Sequence, residues 1–174
     1  MTRRIELCYG ASPERVVMYR VFLSYNTTPD EMVVVWRLQT LAAASGLRLD
    51  VPNPIQRSDW TTVTQMIDAA DAVIVFLTNR ATSQVKKELT YALSLRKPAI
   101  PIVEQGTSTK LIETLLQHSG TKVFYLDPSS PWKMENELKN FLQKEQFDKD
   151  TRNAIFALAG TFVGLLLLQK LTES

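Results

Sequence analysis

Residues 72–77 read AVIVFL, a short apolar run flanked by Asp71 and Thr78. Half of its residues are β-branched, and a bulky run of this length between polar residues predicts a β-strand. Apolar and polar residues do not alternate within it. We therefore expect both faces of the strand to be covered, as is usual in parallel sheets.

Similar runs on both sides of this strand extend the pattern. The further predicted strands are Arg20–Tyr25, Leu47–Val51, Ala99–Val103 and Lys122–Leu126. The helices predicted after the strands cover about 28–45, Trp60–Ala69, Gln84–Leu95, Thr109–Gln117 and Trp132–Gln146. Five strands, each followed by a helix, indicate an α/β fold: a five-stranded parallel sheet with helices on both faces. Ligands of such sheets bind beyond the carboxyl ends of the strands.

Capping signals mark the ends of these helices. Thr28 is a predicted N-cap for the first helix, and Gly46 can end it in the left-handed conformation. Ser58 or Asp59 is predicted to cap the second helix, and Ser83 the third.

Composition excludes several classes of function. The net charge is only +2 and charges of both signs are interspersed, so no concentrated basic face is predicted and nucleic acid is not an expected partner. Neither GxGxxG nor GxxxxGK[ST] occurs. The N-terminal residues MTRRIELCYG lack the apolar core of a secretory signal, so we expect the main domain to stay in the cytoplasm.

Cysteine and histidine are too scarce for several kinds of site. Cys8 is the single cysteine, which excludes an internal disulfide and a cysteine-based zinc site. His118 is the single histidine, and its place just before Gly120 is typical of a cation at a helix C-terminus. We predict no metal site and no bound cofactor.

Three stretches in order resemble the Toll/interleukin-1 receptor (TIR) domain family. They are RVFLSYN at the first strand, the proline-containing loop after LRLDV, and QVKKELTYALSLRKPAIPIVE. The third is the most specific, and the resemblance covers roughly Tyr19 to Phe147. It predicts a domain organisation of an N-terminal extension (1–18), a TIR-like domain (19–147), a linker (148–152) and a hydrophobic helix (153–170).

The resemblance to the NAD-cleaving, bacterial-type branch of the family implies a catalytic glutamate, which here is Glu88. Cleavage of the nicotinamide–ribose bond develops positive charge on the ribose, which a fixed carboxylate stabilises. NAD+ would then be a substrate and no cofactor is required. The alternative is that Lys86, Lys87 and Glu88 form the solvated start of a helix, with Glu88 favoured there by the helix dipole.

The same resemblance implies a set of substrate-binding residues: Ser24, Tyr25, Asn26, Arg57, Trp60 and Gln84. Ser24, Tyr25 and Asn26 end the first strand, where the enzymatic branch lines its pocket, although Tyr25 is equally readable as a half-buried core aromatic. Arg57 could meet a phosphate or a neighbouring subunit, or be a solvated loop residue. Trp60 could supply an aromatic platform or simply anchor its helix.

Gln84 departs from the family pattern. Several NAD-cleaving relatives carry a tryptophan four residues before the glutamate, and this chain has Gln84 there. A stacking platform for the base is therefore absent from its usual place, and Tyr25, Trp60 or a neighbouring subunit would have to supply one.

The C-terminal run Asn153–Gln169 (NAIFALAGTFVGLLLLQ) carries no charge and is bracketed by Arg152 and Lys170. Spans usually need about 20 apolar residues, so this run is at the short edge of what crosses a bilayer. Gly160 and Gly164 form a GxxxG pair, which favours close packing of membrane helices. We predict a transmembrane or self-associating helix that tail-anchors a cytoplasmic TIR-like domain, against the alternative of a buried helix of the soluble domain.

The leading functional hypothesis is a TIR-domain NAD+ glycohydrolase or cyclase in immune defence or cell-death signalling. It would act as a homo-oligomer, assembled through TIR–TIR contacts and the GxxxG helix at a membrane. The alternatives are a non-catalytic TIR scaffold acting through the loop 52–59, and a membrane-disrupting effector whose TIR-like part drives oligomerisation. A nucleoside deoxyribosyltransferase-like enzyme is a more distant alternative.

Overall fold

The computed structural model describes residues 18–25, 39–40, 42–44, 46–53, 56, 59–78, 80–127, 129–144, 149, 152–153, 155–161 and 164. The strands are β1 (Tyr19–Tyr25), β2 (Leu47–Asp50), β3 (Ala72–Leu77), β4 (Ala99–Glu104) and β5 (Phe124–Leu126). The helices are α1 (Trp60–Ala69), α2 (Ser83–Ser94), α3 (Lys110–Ser119) and α4 (Pro131–Lys144). Residues 39–40 and 42–44 are also helical, while most of the predicted helix 28–45 lies outside the described residues.

The five strands form one sheet in the order β2-β1-β3-β4-β5, and every neighbouring pair is parallel. All six residues of β3 are buried, as its unbroken apolar run predicts. The predicted α/β fold with a five-stranded parallel sheet is therefore confirmed. The last strand is shorter than predicted, because only Phe124–Leu126 pairs with β4.

Two apolar clusters lie on opposite faces of the sheet, as expected from the alternation of side chains along a strand. One contains Phe22, Val73 and Val75 of the strands and is covered by α1, α2 and α3. The other contains Val21, Leu23 and Tyr25 of β1 and is covered by α4. Even-numbered residues of β1 therefore face α2, whereas odd-numbered ones face α4.

The helix caps explain where the elements begin and end. Asp59, one of the two predicted caps, accepts a hydrogen bond from the Thr61 amide at the start of α1. The prediction of Ser83 as cap of α2 was wrong, because the Thr82 hydroxyl accepts from the Val85 amide and Ser83 is already helical. Gly46 has a φ of 76°, the left-handed conformation that its position predicted.

The described part of the C-terminal run is helical and packs on the domain. Residues 152–153 and 155–161 are helical, and Ile155, Leu158 and Ala159 are buried in the same cluster as Leu138 and Leu142 of α4. These contacts account for the first apolar residues of the run without a bilayer. Within the described residues, no helix has the length and hydropathy that a membrane crossing requires.

The predicted GxxxG pair is only partly engaged. A Cβ atom added at Gly160 would lie 3.9 Å from Glu135 Oε1 of α4, whereas the position at Gly164 is open. Gly160 thus faces the domain's own helix in this chain. Residues 165–170 of the predicted membrane helix lie outside the described residues.

Candidate active site

Glu88 lies on the buried face of α2. The spacing of Val85, Glu88, Leu89 and Ala92 places these four side chains on one side of the helix, and all four are buried. That side packs against the sheet beside β1 and β3. Glu88 is 0% exposed, so the alternative of a solvated first helical turn is wrong for this side chain, although Lys86 and Lys87 are exposed.

Two neutral side chains donate hydrogen bonds to the Glu88 carboxylate. Ser24 Oγ donates to Oε2 at 2.5 Å, and Gln84 Nε2 donates to Oε1 at 2.9 Å. Each carboxylate oxygen therefore has a described donor. Burying an ionised carboxylate is costly unless it is hydrogen-bonded, so these bonds are what allow an acidic side chain in this core.

Ser24 places the carboxylate at the carboxyl edge of the sheet. It is the next-to-last residue of β1, is fully buried, and pairs in register with Val75 of the central strand. Being even-numbered, it points to the face covered by α2. The site therefore lies where ligands of open parallel sheets bind.

Gln84 is one helical turn before Glu88, so its side chain lies on the same stripe of α2. At the position where relatives carry a tryptophan, this chain holds an amide that orients the carboxylate. Sequence reasoning counted Gln84 among the substrate-binding residues, as the residue at the usual tryptophan position, but did not predict its contact with Glu88. An (i, i+4) Gln–Glu spacing is the signal that predicts the hydrogen bond.

Tyr25 is not brought to Glu88. It is fully buried in the cluster on the α4 face of the sheet, opposite to Ser24 and Glu88. The alternative interpretation, a half-buried aromatic, is nearer to this position, although the side chain is fully buried. Its proposed role in binding substrate has no geometric support within one subunit.

Trp60 is the first residue of α1, and its ring lies against the exposed face of α2. Its ring makes an edge-to-face contact with Tyr91 at 5.8 Å between centroids, and the Lys87 ammonium lies 4.0 Å from the ring centre. These residues line a shallow groove of about 420 Å³ together with Lys86 and Thr90. The hydrogen bond that Tyr91 donates to the Asp68 carboxylate raises the pKa of the Tyr91 hydroxyl. Trp60 therefore anchors α1 to α2 on the side away from Glu88.

Two predicted site residues, Asn26 and Arg57, lie outside the described residues. Of the predicted set, the structure thus brings together Glu88, Ser24 and Gln84. Within the described part of the chain, no group of three histidine, cysteine or acidic side chains has the arrangement of a metal site. His118 is exposed in the last turn of α3, with Nδ1 2.7 Å from the Thr114 carbonyl oxygen.

Two solved structures are similar to this chain at low sequence identity. The TIR domains in the structure of the activated Roq1 resistosome, which directly recognizes the pathogen effector XopQ, are 14% identical to this chain, with a TM-score of 0.43 over 89% of this chain and 98% of that one. The metal-soaked Flv1 flavodiiron core from Synechocystis sp. PCC6803 is 11% identical, with a TM-score of 0.47 over 88% of this chain. The chain covers only 37% of that flavodiiron protein.

The comparison with protein families is more specific. A search of curated proteins found no match. The family model described as "TIR domain" matches residues 21–142, which is well over half of the chain. The match includes most of β1, the other four strands and the Ser24–Gln84–Glu88 cluster. The chain therefore belongs to the TIR domain family.

Proposed function

We propose that this TIR domain hydrolyses NAD+ at the nicotinamide–ribose bond, with Glu88 as the catalytic carboxylate. The observation that carries the proposal is a fully buried glutamate at the carboxyl edge of the sheet, with a described hydrogen-bond donor on each oxygen. A buried carboxylate of this kind contributes little to stability compared with an apolar side chain of similar volume. Ligands of open parallel sheets bind beyond this edge, so a carboxylate at this place is typical of a functional group.

The chemistry requires one carboxylate and water. The bond between the ribose C1′ and the pyridinium nitrogen breaks, and its electron pair stays with the nitrogen, so nicotinamide leaves as a neutral molecule. Positive charge then develops on the ribose ring, and the Glu88 carboxylate stabilises it. Water adds to C1′ and releases one proton, which gives ADP-ribose. A ribose hydroxyl attacking in place of water would give a cyclic product.

Ser24 and Gln84 are proposed as positioning residues. Their hydrogen bonds fix both carboxylate oxygens, so the carboxylate need not be reorganised as the charge develops. Because each donor is neutral, the negative charge of Glu88 is not cancelled by these two contacts. An aromatic platform for the nicotinamide would come from a neighbouring copy, since Trp60 and Tyr25 both lie away from Glu88.

Access to the carboxylate must depend on a change in its surroundings. Glu88 is fully buried in the single chain, so NAD+ can reach it only when neighbouring chain segments move. We propose that self-association of TIR domains supplies this change and completes the pocket. Activity should therefore rise more steeply than in proportion to protein concentration.

The test is release of nicotinamide from NAD+ by concentrated protein, comparing the wild type with Glu88→Gln. The variant keeps the shape of the side chain. The Gln84 amide and the Ser24 hydroxyl can each either donate or accept a hydrogen bond, so both can still bond to the new amide at position 88. Glu113→Gln, on the exposed side of α3, is the matched control for loss of one negative charge. Activity that survives in Glu88→Gln would remove Glu88 from the mechanism.

A non-catalytic scaffold is the second candidate, and a specific observation favours it. Glu88 is sealed and already hydrogen-bonded by Gln84, where NAD-cleaving relatives place tryptophan. In that case the domain would act by binding other TIR domains through the loop 52–59. Self-association without nicotinamide release, in both wild type and Glu88→Gln, would establish this alternative.

Membrane attachment through the C-terminal run is a separate part of the proposal. It depends on the charge-free sequence 153–169, of which the described residues 155–161 pack on α4. One helix could both pack on α4 and anchor the domain in a membrane only if its later residues enter the bilayer. Membrane fractionation of the full chain and of a chain ending at residue 164 tests whether the C-terminal run anchors the protein. Equal recovery of both chains in the soluble fraction would exclude the anchor and a membrane-disrupting role.

A further inference from the structure

A cleft runs between α4 and the C-terminal helical segment, on the opposite side of the sheet from Glu88. Its volume is about 400 Å³, and we call it the α4 cleft. Lys139 and Leu142 line it from α4, and Arg152 and Phe156 from the C-terminal segment. The cleft is separate from the proposed active site, so nothing inferred from it depends on Glu88.

The charged side chains that line the α4 cleft are all cationic among the residues that the structure describes. Lys139, Lys149 and Arg152 contribute three cations, and no carboxylate is among the described residues that line it. Lys149 and Arg152 are close in sequence and both line the cleft. Cations gathered in one concave site repel one another and create a positive potential, which a bound anion relieves. The arginine can bind a phosphate with two parallel hydrogen bonds.

The floor of the cleft is apolar. Leu142 is buried there, and Phe156 packs against the same core while still lining the cavity. The amides of Gln143 and Asn153 add uncharged hydrogen-bonding groups to the lining. An apolar floor with a cationic lining suits a molecule that is anionic at one end and apolar at the other. The volume suits a lipid head group with its glycerol region and is too small for a folded partner.

We propose that the α4 cleft binds the phosphate head group of an anionic membrane lipid. The apolar part of the lipid would lie over Phe156, along the wall formed by the C-terminal segment. That segment belongs to the longest charge-free stretch of the chain, residues 153–169, which would direct the lipid's acyl chains along an apolar surface. The cleft would hold the domain at the surface of an anionic bilayer, with the sheet and its carboxyl edge outside the membrane.

The experiment measures binding of the full chain to vesicles by co-sedimentation. One set of vesicles is phosphatidylcholine alone, and the other is a mixture of phosphatidylcholine and phosphatidylglycerol. The test variant is Lys139→Gln with Arg152→Gln. The control variant is Lys86→Gln with Lys110→Gln, which removes two exposed lysines from α2 and α3 and gives the same net charge.

The wild type should bind the mixed vesicles and not the neutral ones. The contribution of each basic residue near an anionic surface corresponds to about fivefold in affinity, so the test variant should bind about 25-fold more weakly. The control variant should lose less than about twofold. Circular dichroism of both variants confirms that the fold is kept.

Three results would overturn the proposal. Equal losses in the two double variants would show general attraction of a basic protein to an anionic surface. Equal binding to neutral vesicles would show insertion of the apolar run alone. Binding of inorganic phosphate by the wild type and not by the test variant, with no binding of the wild type to mixed vesicles, would show that the cleft takes free phosphate and not a lipid.

Discussion

Replacement of Ser24 by alanine removes the described hydrogen bond to Glu88 Oε2, and its effect on stability can be estimated from the structure. The bond is 2.5 Å long, both side chains are fully buried, and the acceptor is a carboxylate. Hydrogen bonds to charged groups contribute about 1.5–3 kcal/mol to folding, against about 0.5–1.5 kcal/mol for neutral pairs. We therefore expect Ser24→Ala to lower the free energy of unfolding by about 2 kcal/mol.

A double-mutant cycle isolates the charge. In the Glu88→Gln background the same serine bonds a neutral amide, so Ser24→Ala should lower the free energy of unfolding by only about 1 kcal/mol. The difference of about 1 kcal/mol is the coupling that the charged hydrogen bond predicts. The free energy of unfolding is measured by urea unfolding at pH 7, followed by circular dichroism, for the wild type, the two single variants and the double variant. The m-value should be the same for all four proteins. Additive effects within about 0.3 kcal/mol would contradict a specific coupling between the Ser24 hydroxyl and the Glu88 side chain.

Three further predictions concern the rest of the fold. Arg96 has a φ of 56° at the end of α2, a left-handed conformation that glycine adopts more easily than arginine. Arg96→Gly should therefore raise the free energy of unfolding, measured in urea, by about 0.5–1 kcal/mol. A decrease would contradict the left-handed backbone at this residue. Leu158 is buried against α4, so Leu158→Ala should lower the free energy of unfolding by about 2–5 kcal/mol. A decrease of less than about 0.5 kcal/mol would mean that the C-terminal segment does not pack on α4. The hydrogen bond from the Thr62 hydroxyl lowers the pKa of Asp59 from its ordinary value of 3.8. Ionised Asp59 therefore stabilises the fold above pH 3.8. This stabilisation is lost as the pH falls through the lower pKa of the folded state. Asp59→Asn should therefore be less stable than wild type at pH 7 and closer to it at pH 2, whereas an equal deficit at both pH values would argue against the linkage.

The sheet was predictable because its signals are local. Each strand is a short apolar run bounded by polar or turn residues, and the unbroken pattern of Ala72–Leu77 already indicated burial on both faces. Helix ends were less certain, since Thr82 and Ser83 are equally good capping residues. Only the extended backbone at Thr82 decides between them.

The site was predictable in part. Glu88 and Ser24 are 64 residues apart, and no periodicity in the sequence pairs them; the family resemblance placed both at one edge, and the structure adds the hydrogen bond. The sequence alone is enough to exclude Tyr25 from the site that contains Ser24. Neighbouring residues of a strand face opposite sides, so a site that uses Ser24 from one face of the sheet cannot also use Tyr25 within the same subunit.

The C-terminal run shows why composition alone is insufficient. An apolar helix needs a partner, and the sequence does not reveal whether the partner is lipid or protein. Here Leu138 and Leu142 of α4 supply an apolar surface for Ile155, Leu158 and Ala159. That surface arises only once α4 is folded onto the sheet, which no local pattern in 153–169 encodes.

The most direct measurement of the central claim is the rate at which assembled, full-length protein liberates nicotinamide when the Glu88 charge is present and when it is removed. If Glu88 stabilises the developing ribose cation, Glu88→Gln should be slower by about 100-fold or more, while Glu113→Gln keeps the wild-type rate. Equal rates in all three proteins would contradict the account.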